Sequence, residues 1–339
     1  MRILVIGGTG FIGRHVMRRL VETGHAVTVF HRGQTVAHLL SDINHISGDR
    51  RDLRNFKSQF KRFSPDVTLD MICYTEQEAK NLIATLDGTS DRLVVASSMD
   101  VYRNYGRLLG LEAGPPDPCP LTEDSPLRES EYPHRAIAKS PRDFAQYYEK
   151  RHVERVVASA PNPRATILRL PAVYGPGDKY HRMFEHLKRM DDGREKILLE
   201  ESRARWRWTR GYVENVADAI ALAVIEGRAA GRVYNIGERD ALCEADWVRS
   251  IGRAADWNGD IVAMPKVMLP DHLAAPYDFE YHLDCDTSKI RTELGYTERV
   301  TPDEGMKETV AWERAYPPEQ VDPALFNYEA EDDALAMLY

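Results

Sequence analysis

The chain is poor in cysteine, with four in 339 residues, and Cys73, Cys119, Cys243 and Cys285 stand far from one another. That spacing excludes a small disulfide-stapled fold and the paired ligand pattern of a zinc site, so reduced thiols and no metal are expected. No apolar run approaches the roughly 20 residues that cross a bilayer, which excludes a spanning helix. The start reads as a strand rather than a leader, which makes the cytoplasm the expected location. A net positive charge is lacking too. A net charge of -8 argues against a nucleic-acid surface, with Arg203, Arg205, Arg207 and Arg210 as a local exception. There is no internal repeat. The 43% apolar content suffices for one large domain or two modest ones.

What is present begins at once. In MRILVIGGTGFIG, Met1 to Gly13, a short apolar strand (Ile3, Leu4, Val5, Ile6) runs into glycines spaced three apart, Gly7, Gly10 and Gly13, ahead of an amphipathic helix from Phe11 to Glu22. Glycine permits the tight turn, the close approach of backbone to a phosphate and the close helix–strand packing, and the opening amides of the helix face the anion. A second strand, Ala26 to Phe30, follows the stop at Gly24. This context marks a dinucleotide pyrophosphate site.

Strands and helices then alternate. Further strands are expected at Ile43 to Ser47, Val67 to Ile72, Leu93 to Ser97 and Ala165 to Leu170, and helices at Leu53 to Phe60, Glu76 to Leu86 and Pro141 to Ala158. Alternation with right-handed crossovers predicts an α/β fold, a doubly wound parallel sheet. The proline-rich, charged stretch from Leu111 to Pro141 reads as a lid or surface insertion, too irregular for core. Residues 1–174 are therefore expected to form a dinucleotide-binding domain with an insertion at about 107–141. Residues 175–318, with a helix at Val213 to Glu226 and a strand at Arg232 to Ile236, are expected to form mostly a smaller substrate-binding lobe, and 319–339 a peripheral acidic tail.

Taken in order, the motifs GGTGFIG, GDRRD at 48–52, VVASSMDVY at 94–102, Lys150 with Glu154, LRLPAVYGPGD at 168–178 and GYVENVADAIALA at 211–223 cover most of the chain. They resemble the extended or atypical short-chain dehydrogenase/reductases of the NAD-dependent epimerase/dehydratase family. VTVFHRG is similar to the ending seen in the branch that contains the chloroplast stem-loop-binding proteins, which includes RNA-associated members. The resemblance implies a Rossmann-type fold, a nicotinamide cofactor, a sugar-like or nucleotide-linked small-molecule substrate and a homo-oligomer, in most cases a dimer.

Cofactor choice is read at the end of the second strand. NAD binders usually place a carboxylate there for the ribose hydroxyls, whereas arginine attracts the 2′-phosphate of NADP. This chain has His31 and Arg32, so NADP(H) is favoured and NAD(H) is the alternative. The resemblance adds Asp49 and Arg50 at the adenine, and Met71, Ile72 and Cys73 on the cofactor's other side. Thr9, Phe11, Ile12, Ser97, Pro171 and Val173 complete the expected cofactor contacts.

For catalysis the family pattern needs a hydroxyl on the substrate carbonyl, a tyrosine that passes the proton and a lysine that lowers the tyrosine pKa and holds the ribose. Ser98, four residues before Tyr102, fits the first role and Lys150 the third. The tyrosine position, four before the lysine, is Gln146, which cannot give up a proton. On a continuous helix Tyr147 nearly shares the face of Lys150 while Tyr148 points about 160° around, so Tyr147 is the better stand-in unless a distorted first turn presents Tyr148. Lys139 with Arg135 is a rival alignment, set aside because Pro141 would interrupt the helix. Tyr132, His134 and Asp100 are further candidate acids or bases. On the substrate side the expected residues are Asp100, Tyr102, His181, Arg207 and Arg210, the arginines implying an anionic or nucleotide-linked molecule. Three functions remain open: an NAD(P)-dependent oxidoreductase, epimerase or dehydratase; a scaffold or RNA-associated protein that lost catalysis with the tyrosine; and a dinucleotide-regulated sensor.

Overall fold

A computed structural model describes residues 1–33, 43–141 and 143–338. Arg142, inside the expected helix over 141–158, and Tyr339 of the tail lie outside the described residues. The first unit runs β1 (Arg2–Ile6), α1 (Phe11–Glu22), β2 (Ala26–His31), β3 (Asn44–Ser47), α2 (Lys57–Phe63), β4 (Val67–Asp70), α3 (Glu76–Leu86), β5 (Arg92–Ser98), α4 (Arg103–Leu108), α5 (Lys150–Ser159) and β6 (Arg164–Leu170). The second half adds β7 (Ala172–Tyr174), α6 (Phe184–Asp191), β8 (Lys196–Glu200), α7 (Glu201–Arg205), β9 (Arg210–Tyr212), α8 (Val213–Ile225) and β10 (Val233–Asn235). It ends with α9 (Glu244–Ala254), β11 (Asp260–Met264), α10 (Ser288–Leu294), α11 (Pro302–Ala315) and α12 (Tyr328–Ala336).

Among the described residues seven strands form one parallel sheet in the order β10, β6, β5, β4, β1, β2, β3. β1 is central, so Ile3 to Ile6 are fully buried, which is why that strand is apolar throughout rather than alternating. The order reverses between β1 and β4, and ligands bind outside the carboxyl ends of strands at such a reversal. Thr75 and Glu78 close a reciprocal cap on α3, and Thr301 and Glu304 do the same on α11.

Four expectations change. β10 joins the main sheet and α8 packs on α1, so the dinucleotide-binding unit is not confined to 1–174. The helix expected at Leu53 to Phe60 is a 3-10 turn, Arg50–Phe56, followed by α2. The insertion is partly core. Arg128 and Leu121 are buried, and Leu121 pairs through its backbone with Asp284 and Asp286.

The acidic tail is not peripheral either. Glu331 on α12 is fully buried and accepts hydrogen bonds from Arg189 on α6 (2.7 Å), with His272 at 3.0 Å. A sequence window cannot show that an acidic helix carries one inward carboxylate for a cation 142 residues away. Glu331→Gln is expected to lower stability by about 1.5–3 kcal/mol, the worth of a charge-assisted hydrogen bond, read as a lower urea midpoint at unchanged slope. An unchanged midpoint would mean that the Glu331 charge adds nothing to the hold on α12.

Candidate active site

A cavity of 800 Å³ opens at the carboxyl ends of the first four strands. Gly7, Thr9 and Gly10 form its lip, Ile72 and Tyr74 one wall, and His31, Arg32, Asp49, Arg50 and Arg51 its far end. Each glycine has a different reason. Gly7 has φ +80°, and a Cβ there would lie 2.5 Å from Ile72. A Cβ on Gly13 would meet the Gly8 carbonyl oxygen at 2.6 Å, so α1 packs on the loop only because that position is bare. At Gly10 a Cβ would touch nothing within 4 Å. Among the described residues no side chain caps α1 and no acidic residue stands in its first turn, so its opening amides suit an external anion. The residues fit a dinucleotide pyrophosphate.

At the far end His31 is buried. Its Nδ1 accepts from the Gly33 amide (3.0 Å) and its Nε2 lies 3.0 Å from His45, and burial together with His45 holds its pKa below the usual histidine value. A neutral imidazole therefore stands where a ribose-binding carboxylate would. Arg32 is exposed at the cavity rim. Asp49 pairs with Arg51 at 2.7 Å. Arg50 faces the cavity from beneath, its guanidinium held by the buried Asp70 (3.0 Å) and by Glu78 (3.1 Å). So paired, Arg50 still lines the cavity at the end where the adenine is expected.

The largest correction concerns the tyrosine. The helix expected from Pro141 begins at Lys150, with Glu149 as its cap, and residues 144–146 form a separate 3-10 turn capped by Asp143. The helical argument for Tyr147 therefore fails. Tyr147 is 54% exposed on the cavity wall, whereas Tyr148 is buried and donates from its hydroxyl to Asp100 Oδ2 at 2.7 Å. The Ser98 hydroxyl stands close enough to Tyr148 to hydrogen-bond and draw its pKa down. Burial and the Asp100 carboxylate outweigh that and keep the phenol well above its ordinary value, hence protonated. Burial alone would push Asp100 up, but His134 (3.4 Å) and Arg128 hold it below the usual carboxylate range. Its other oxygen, Oδ1, is buried without a partner among the described residues.

Lys150 is buried and donates to the carbonyls of Cys73 (2.8 Å) and Ala96 (2.6 Å) at the ends of β4 and β5, its ammonium 4.8 Å from the Tyr74 ring and 6.0 Å from that of Tyr148. Burial lowers its pKa. Lys150 does not pair with Glu154, which instead binds Arg169 (2.8 Å) and accepts from Ser97 (2.6 Å).

That network takes Ser97 away from the cofactor side. Tyr102 is also interior, its hydroxyl bonded to Asn235 (2.6 Å) and Arg169 (3.0 Å) because the strand-end turn directs it into the core. His181 is taken up by Glu313 (2.7 Å) and stacks on Trp312, both from α11. Arg210 is buried against Glu244 and over Trp247, and Arg203 joins Glu244 at 3.1 Å. The four arginines thus do not form a surface patch. Arg207 is exposed and donates to the Ala241 carbonyl at 2.7 Å. Cys73 is buried with its thiol pushed up to about 12, and Met71, Phe11 and Ile12 pack against the core. Val173 is a core residue and Pro171 stands half-buried beside Gly211. Tyr132 and His152 meet edge to face, and Arg135 lies over the Tyr132 ring.

Sequence reasoning missed Tyr74, Phe144 and Lys179 on the cavity wall and the pair Arg128–Glu149 behind it. Tyr74 had a signal, the aromatic that ends the run MICY after β4. Arg128 had none.

A parallel sheet with a glycine lip, bare helix amides and a lysine–tyrosine pair at the end of β5 defines a Rossmann-type dinucleotide-binding protein. The NAD dependent epimerase/dehydratase family matches over residues 3–237, more than half of the chain, and the chain belongs to that family. Similar proteins include a 2'-dehydrokanamycin reductase of Streptomyces kanamyceticus, 25% identical over 89% of this chain and 79% of its own. The chloroplast stem-loop binding protein of 41 kDa b from Arabidopsis thaliana is 32% identical over 34% of each chain. The crystal structure of dTDP-glucose 4,6-dehydratase from Bacillus anthracis, in complex with NAD, superposes with a TM-score of 0.68 at 18% identity over 93% of this chain and 97% of its own. No helix among the described residues is long and apolar enough to cross a membrane.

Proposed function

We propose that the chain is an NAD(P)-dependent oxidoreductase or epimerase/dehydratase acting at a carbinol or ketone of a sugar-like molecule, with NADP(H) preferred and Tyr148 in place of the missing tyrosine. The observation that carries the reading is the chain Ser98, Tyr148, Asp100 with Lys150 beside it, at the end of the strand that borders the glycine-lipped cleft. A bound nicotinamide supplies the hydride acceptor or donor. Ser98 orients the substrate oxygen, Tyr148 gives or takes its proton, and Asp100 stands behind the phenol with His134 leading toward solvent. The unpartnered Oδ1 of Asp100 is an acceptor for a substrate hydroxyl. The Streptomyces reductase supports a polyhydroxylated substrate. With Arg210 buried in an ion pair, the arginine argument for an anionic or nucleotide-linked substrate rests on Arg207 alone. An assay with each dinucleotide against a panel of sugars, free and nucleotide-linked, tests the reading. No turnover despite bound cofactor would favour the scaffold or the sensor.

NADP preference rests on a neutral His31 and an exposed Arg32 at the adenosine end. Arg32→Ala is expected to weaken NADP(H) binding by about 1.5–3 kcal/mol and leave NAD(H) nearly unchanged. Calorimetric titration with both cofactors checks it, and equal losses would refute it. A dimer, by family resemblance, belongs to the same proposal and is read by light scattering.

A further inference from the structure

The loop after β7, residues 175–180, lies against the glycine lip. Arg14, in the first turn of α1, donates to the Pro176 carbonyl at 2.5 Å, and its guanidinium fills the space that a Cβ on Gly177 would take. Inside the loop, buried Asp178 accepts from Arg182 (2.8 Å) and from the Tyr180 amide (3.0 Å), and the Asp178 amide donates to the Gly175 carbonyl at 3.1 Å. The turn is therefore held at both ends, and one end is fixed to the helix whose amides open on the cavity. Lys179, at its exposed tip, lines that cavity together with Gly7, Thr9 and Gly10. It makes no ion pair among the described residues. The Tyr180 ring lies 5.1 Å from its ammonium. The arginines of the cavity are placed differently: Arg50 and Arg51 are paired with carboxylates, and Arg32 stands at the end away from the glycine lip.

We infer that Lys179 is a diphosphate-binding residue, closing from the substrate-side loop the anion site that the α1 amides open from below. The inference rests on the dinucleotide reading above. Amides and dipole favour an anion at the lip, but a diphosphate carries charge on its outer face as well, and an unpaired ammonium on a tethered turn neutralises it there. Because Arg14 joins α1 to the loop, the two halves of the site are set relative to each other before the ligand arrives, which limits the ordering cost of binding.

The test is calorimetric titration of the full chain and of Lys179→Met and Lys179→Arg with ADP, AMP and NADP⁺, folding being checked by circular dichroism. Wild type is expected to bind ADP more tightly than AMP. Lys179→Met is expected to weaken ADP and NADP⁺ by roughly ten- to a hundredfold, the worth of one charge-assisted hydrogen bond, while AMP changes by less than about twofold. Lys179→Arg is expected to retain most of the ADP affinity. ADP affinity unchanged in the Met variant, or equal losses for ADP and AMP, would overturn the assignment and leave the cofactor reading standing. Wild-type protein that binds none of the three nucleotides would overturn both.

Discussion

Tyr148→Phe is expected to lower turnover by about 10²–10⁴-fold, the range for loss of a general acid or base, with dinucleotide affinity nearly unchanged. The phenol donates to Asp100, stands close to the Ser98 hydroxyl and is buried. Removing it leaves Asp100 Oδ2 facing His134 at 3.4 Å. Tyr147→Phe removes a hydroxyl from a half-exposed ring on the cavity wall and is expected to be mild. Steady-state kinetics on both variants, with titration of cofactor into each, decide the matter. Full activity in Tyr148→Phe would move the proton route to Asp100 and His134. A large loss in Tyr147→Phe alone would show that the segment before α5 rearranges when ligand binds.

Gly10→Asp is expected to abolish dinucleotide binding, at least about a hundredfold, in a protein that folds as well as wild type. The loss follows because the pyrophosphate takes several charge-assisted hydrogen bonds from the lip, roughly 1.5–3 kcal/mol each, and an aspartate would put its own carboxylate in that place. Folding should survive because the new Cβ meets open space and because the backbone at Gly10 is extended, φ -80° and ψ -176°, as a helix cap requires. Aspartate is among the best residues at that position, so it would satisfy the amides of α1 itself. Thermal unfolding should show an equal or higher midpoint, and calorimetry no cofactor binding. Gly13→Val is no substitute for this experiment. Its Cβ would run into the Gly8 backbone, and the protein is expected to lose about 1–3 kcal/mol of stability from overpacking alone. Micromolar binding retained by folded Gly10→Asp would refute the pyrophosphate assignment.

Much of the cofactor side was legible in the chain because it is local. The strand, the three glycines and α1 follow one another within 22 residues, and each glycine answers a steric demand made by its near neighbours or by the open cavity. The alternation of strands and helices likewise predicts the parallel sheet, and α3 is found at the expected bounds, Glu76–Leu86. Legibility failed where a polar residue's partner is distant. Tyr102, Ser97, His181 and Arg210 carry the residue types of a site, yet each is bound to a group brought from another element: Asn235, Glu154, Glu313 and Glu244. Periodicity gives a buried hydroxyl or guanidinium no address.

The start of α5 is the clearest case. By sequence alone, the stretch from Pro141 into α5 reads as one helix, since glutamate at 149 is a weak cap signal and Tyr147 then falls beside Lys150. In the folded chain Glu149 is fully enclosed, bonded by Arg128 (3.1 Å) and the Tyr132 amide (2.9 Å), while Arg128 also donates to the Asp100 carbonyl at 2.5 Å. A buried carboxylate must be paired, and here Arg128, from the insertion that crosses the end of β5, joins Arg151 of α5 on it. That pairing holds Glu149 out of the helix as its cap, sets the first turn at Lys150 and turns Tyr148 inward to Asp100. The sequence by itself determined the fold class, the glycine lip and the lysine. Which tyrosine stands beside them was decided by a contact between residues 21 apart, and only tertiary structure makes that contact.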